Sequence, residues 1–71
     1  MDDNDVQLFL ENFGATRFVV DDEKKTVYIE RRQVSEITNS WESRLWFEFL
    51  RDIGDYGWRV VEREHIPVIV R

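Results

Sequence analysis

No cysteine occurs in this 71-residue chain, which excludes both a disulfide framework and a thiolate zinc site. Histidine occurs once, as His65, between a strand-like run and Pro67. A lone imidazole there reads as a rim residue, and no second one is present to complete a usual metal set. The three glycines, Gly14, Gly54 and Gly57, stand apart and form no phosphate-cradling loop. The Asp2 to Asp5 run lacks the glycine and distal glutamate of a calcium loop. No window approaches the roughly 18 apolar residues of a membrane span. Met1 is followed by Asp2, Asp3, Asn4 and Asp5 where an export signal would be basic and then apolar. The expectation is one small intracellular, cytoplasmic domain over residues 1–71, frayed at 1–3, without cofactor or metal and without a cleft between lobes for catalysis.

Aromatic residues are plentiful, at 14% of the chain, and each buries about 150 to 250 Å². With 35% charged residues the chain still has too many rings and β-branched side chains to stay disordered. Fifteen acids face ten bases, for a net charge of −5. Residues 1–23 hold seven acids and one base, whereas 24–71 hold eight acids and nine bases, so the acidity is local. Asp2, Asp3 and Asp5 suit the N-terminal dipole of a first helix, and Asp21, Asp22 and Glu23 suit a solvated turn. A rival reading makes these six an acidic patch that imitates nucleic-acid phosphates and inhibits a nucleic-acid-binding protein.

Val6, Phe9, Leu10 and Phe13 recur at helical spacing before Gly14, which predicts a helix over about 4 to 13. Residues 16–20 and 26–31 predict a hairpin with Phe18, Val20, Val27 and Ile29 inside. A second, long helix is expected to start between Ser35 and Asn39 and end by Gly54. Its core seam is Trp41, Leu45, Phe49 and Ile53, widened by Trp46 and Leu50. Residues 58–64 alternate as a third strand, and Pro67 precedes an edge strand or tail over 67–71. The fold class is therefore α+β in the order α-β-β-α-β. A three- or four-stranded, mainly antiparallel sheet carries the long helix on one face.

Phe47 falls about 170° from that seam, so either the first helix covers it with Phe9, Leu10 and Phe13 or a partner does. Trp46, Phe47, Leu50 and Arg51, together with Val68 and Val70 on the expected edge, are the protein-binding candidates. Arg17, Tyr28, Arg59 and Arg63 share the outer sheet face and offer a nucleic-acid-binding alternative, weakened by the net negative charge. The sequence reading is an acidic interaction module that binds another protein, or a second copy of itself as a homodimer. Such a module regulates or inhibits without catalysis, in the manner of small regulators carried by phages and mobile elements.

Overall fold

The computed structural model describes residues 1–66; the expected edge or tail at 67–71, with Val68 and Val70, lies outside the described residues. The order is α1 (Asp3–Asn12), β1 (Phe18–Asp21), β2 (Thr26–Glu30), α2 (Arg31–Thr38), α3 (Ser43–Asp55) and β3 (Arg59–Arg63). Together they form a small α+β fold of three helices and a three-stranded mixed sheet among the described residues.

Helix α1 begins where the Asp2 carboxylate accepts a hydrogen bond from Asp5 N at 3.0 Å, satisfying an N–H that the helix itself cannot pair. Asp3 and Asp5 add negative charge to the first turn. The helix closes through Gly14, whose φ of +82° lets Ala15 N turn back to Leu10 O. Met1 packs on the core and its carbonyl accepts a hydrogen bond from the Trp58 indole at 3.3 Å.

The hairpin forms as its alternation predicts, with Phe18 opposite Ile29 and Val20 opposite Val27. Asp21 Oδ1 accepts from Lys24 N, and Lys25, at φ +49°, completes the turn. Strand β2 is central and pairs with β3 in parallel, Val27 beside Val60. The expected mainly antiparallel sheet is thereby corrected. The chain leaves β2 at one end and returns through two helices, which carry it back to the starting end, as a parallel crossover requires.

The expected single long helix is also corrected. Arg31–Thr38 is already helical and leaves β2 without a loop, so Ser35 lies inside a helix and caps nothing. The break falls at Ser40, whose hydroxyl donates to Ile37 O at 2.6 Å and accepts from Glu42 N at 3.1 Å. One side chain thus ends α2 and sets up α3. Because α3 starts at Ser43, Trp41 lies outside it and is 83% exposed.

Helices α1, α2 and α3 contribute Val6, Leu10, Ile37, Trp46, Phe49 and Ile53 to one core with Val27 and Ile29 of the sheet. The buried stripe of α3 is therefore Trp46, Phe49 and Ile53, flanked by Leu50, and is turned about 60° from the expected seam. Leu45, placed in that seam by sequence, is 47% exposed. Gln33 ties α2 to the start of β1: its Oε1 accepts from Thr16 N at 3.0 Å and Arg17 N at 2.7 Å, and its amide donates to Thr16 Oγ1.

Candidate functional site

The first helix does not cover Phe47. Its rings turn instead to the neighbouring positions of α3: Phe9 lies 5.7 Å from Phe49, and Phe13 lies 5.5 Å from Trp46 and 5.8 Å from Phe49. Trp46 and Phe49 are themselves 5.5 Å apart, which makes a four-ring seam joining the two helices. Such ring pairs contribute about 0.5 to 1.5 kcal/mol each beyond the area they bury.

The seam is filled from below and open above. Between α1 and α3 runs a groove of about 260 Å³ lined by Phe9, Asn12 and Phe13 on one side and Glu42, Leu45, Glu48, Phe49 and Asp52 on the other. Leu45, Glu48, Phe49 and Asp52 recur every three to four residues, so the groove follows α3 for about 10 Å, with Glu42 at its mouth. Its floor is apolar, with Phe9 and Leu45 half-exposed over Phe49. Its rim is acidic, with Glu48 lying 3.7 Å from the exposed Arg44 guanidinium. Residues 2–13 and 42–55 together hold eight acids and two bases, a local balance of −6 in a chain of net −5. The negative charge of the molecule is concentrated on its α1 and α3 segments.

On the other flank of α3, Phe47 is 61% exposed and Arg51 is exposed beside it on the helix surface. Trp46, expected to meet a partner, is 1% exposed and belongs to the core. Leu50 is half-buried and lines a second recess, of about 200 Å³, with Val34, Ile53 and Val60 between α2, α3 and β3. Of the four helix residues singled out by sequence, only Phe47 and Arg51 are exposed.

The outer sheet face is engaged within the chain. The Arg63 guanidinium lies 5.3 Å from the centre of the Tyr28 ring, and Arg59 Nε donates to Thr26 Oγ1 at 3.2 Å. Arg17 is exposed before β1, its backbone N–H bonded to Gln33. Arg31 pairs with Glu62 and Glu64 at the end of the sheet. One face of the ring on which a base would stack is already occupied by an arginine.

The six acids of the acidic-patch reading divide into two local structures. Asp2 caps α1, with Asp3 and Asp5 in its first turn, while Asp21 accepts a turn hydrogen bond and Asp22 pairs with Lys25 at 2.9 Å. Glu23 is exposed in that turn. His65 sits in a polar recess with Glu30, Arg31, Arg32, Ser35 and Glu64, its Nδ1 3.8 Å from the Glu30 carboxylate. Among the described residues no cluster of His, Asp and Glu gathers in a metal-holding arrangement, and no helix is long and apolar enough to cross a membrane.

Sequence reasoning missed Phe9, Leu45, Glu48 and Asp52 as surface residues. Their signal was the charge count of the two helical segments, since acids with so few bases beside exposed apolar positions mark a face left outward. No family model, curated protein or solved structure matches the chain.

Proposed function

We propose that this chain is a protein-binding module that acts without catalysis, as a regulator or inhibitor of its partner, through the face formed by α1 and α3. The observation that carries this reading is the open groove in which Phe9 and Leu45 stand half-exposed over an aromatic floor. A contiguous apolar surface rimmed by polar residues is characteristic of protein interaction sites. The volume of about 260 Å³ is below the range of about 300 to 1,000 Å³ usual for small-molecule pockets and suits inserted side chains. The imidazole of His65 lies in a recess that shares no residue with the groove.

The test compares partners recovered from native cells by tagged wild type, Leu45→Ser and Arg63→Ala, with nuclease present. The expected result is a stoichiometric protein retained by wild type and Arg63→Ala and lost from Leu45→Ser. Nuclease-sensitive recovery, or a partner held equally by Leu45→Ser and Phe9→Ser, would overturn the reading.

Self-association is the second reading, favoured by the Phe47 ring that α1 leaves uncovered. Phe47 beside Arg51 has the aromatic and arginine character of interface hot spots. Sedimentation equilibrium decides: a dimer lost in Phe47→Ser supports it, and a monomer at all concentrations removes it.

A further inference from the structure

We infer that the occupant of the α1–α3 groove is a basic amphipathic helix of the partner, its apolar side chains inserted between Phe9 and Leu45 and its lysines or arginines facing Glu42, Glu48 and Asp52. This rests on the protein-binding reading above and goes beyond it in naming the occupant's shape and charge.

Three observations fix the chemistry. Both walls of the groove are helical and most of their backbone groups are already bonded: Phe13 N and Gly14 N close α1 on Phe9 O and Glu11 O, and Trp46 N opens the α3 ladder on Glu42 O. An extended peptide laid on them would leave its own backbone groups over an apolar floor without partners, whereas a helix arrives with its backbone already bonded. The α3 wall from Leu45 to Asp52 is about 10 Å long, which accommodates about two turns of a ligand helix with anchors at i, i+3 or i+4, and i+7. Finally, the rim carries three carboxylates, and Arg44, at 3.7 Å from Glu48, neutralises at most one of them. A basic ligand gains from this field on approach and in register, while an acidic one is repelled. The same charge opposes a symmetric second copy, because a two-fold pairing would set acidic rim against acidic rim.

The probe is a designed 18-residue peptide of leucine and lysine with leucines on one helical face, compared with a peptide in which every lysine is glutamate and one in which every lysine is glutamine. Affinities are read by fluorescence anisotropy, and contact positions by amide chemical-shift perturbation of the labelled protein. The lysine peptide is expected to bind at least tenfold more tightly than the glutamate peptide, with shifts concentrated in α1 and α3. Leu45→Ser should weaken it about tenfold, and Phe47→Ser by less than about twofold. Neutralising the rim with Glu42→Gln, Glu48→Gln and Asp52→Asn should weaken the lysine peptide while leaving the glutamine peptide unchanged, a distinction that general damage to the fold would not produce.

No binding of the lysine peptide at millimolar concentration, equal binding of the glutamate peptide, or shifts centred on the sheet would overturn the inference. Concentration-dependent self-association abolished by Leu45→Ser would also overturn it, by assigning the groove to a second copy. If the peptide fails while Leu45→Ser still strips a protein partner in cells, the basic helix is wrong and the protein-binding reading stands. If that partner too is retained by the groove variants, both fall.

Discussion

Two adjacent residues of α3 should differ in energetic weight by about two to three orders of magnitude in the folding equilibrium. Trp46 is 1% exposed, in ring contact with Phe13 and Phe49, whereas Phe47, one residue and about 100° further round, is 61% exposed. Truncating a buried aromatic to alanine costs about 3 to 5 kcal/mol, from lost burial and the cavity left behind. A substitution on an exposed helix surface usually stays within about 0.5 kcal/mol. A 71-residue domain has a total stability of about 4 to 11 kcal/mol, so Trp46→Ala should remove about a quarter or more of it and Phe47→Ala almost none. Urea unfolding followed by far-ultraviolet circular dichroism measures both, since the reporter is the backbone and survives loss of the indole. With a slope of about 1 kcal/mol/M for a chain this small, the Trp46→Ala midpoint should fall by about 3 M or the protein should be unfolded at the outset. Leu45→Ala, at 47% exposure, should cost below about 1 kcal/mol. A Trp46→Ala cost below about 1 kcal/mol, or a Leu45→Ala or Phe47→Ala cost above about 2, would refute the orientation of α3. A Phe47→Ala cost that grows with protein concentration would place that ring in an interface between copies.

Further outcomes follow from single positions. Gly54 lies within α3 with nothing within 4 Å of an added Cβ, so Gly54→Ala should stabilise by about 0.4 to 1 kcal/mol, read as a rise in Tm. Gly57, at φ +84°, should respond in the opposite sense: Gly57→Ala lowers Tm because the left-handed turn after α3 admits a side chain only with strain. Gln33→Leu removes the acceptor of two backbone N–H groups and should cost about 1 to 3 kcal/mol in urea unfolding. Asp2→Ala should cost about 1 kcal/mol and raise hydrogen exchange in the first turn of α1, since Asp5 N loses its partner.

The hairpin was legible because two β-branched and aromatic runs flank the polar Asp21 to Lys25 turn, and the period of two along a strand then sets Phe18, Val20, Val27 and Ile29 on one face. The end of α1 was legible for a local reason as well, a glycine where a left-handed residue was needed. Helix α2 was not: it carries only Val34 and Ile37 as apolar residues in eight, too few for a period to emerge, and it is held by Gln33 reaching back 17 positions to Thr16. The seam of α3 was misplaced because Trp41, Leu45, Phe49 and Ile53 repeat perfectly at four residues. The helix that buries Trp46, Phe49 and Ile53 starts only at Ser43, after the Ser40 hydroxyl has interrupted the chain. Parallel pairing of β3 is a property of the route taken by the chain, which a strand's own residues do not encode. The α1–α3 groove depends on where α1 lies, and its rings had two apolar flanks of α3 to choose between. Counted by position along the chain, the acidity fell on residues 1–23, which hid the share carried by α3.

The position of β2 between its two neighbours also bears on the order in which the native state is reached. Its contact with β1 closes over a few residues and can form on the microsecond scale of an isolated hairpin. Its contact with β3 joins positions such as Thr26 and Arg59, 33 apart, and requires that most of the remaining chain first be drawn into place. The last strand should therefore be laid down late and released early. Val60→Ala would then act chiefly by hastening unfolding, while Val27→Ala, at the centre of the early contact, would slow folding itself.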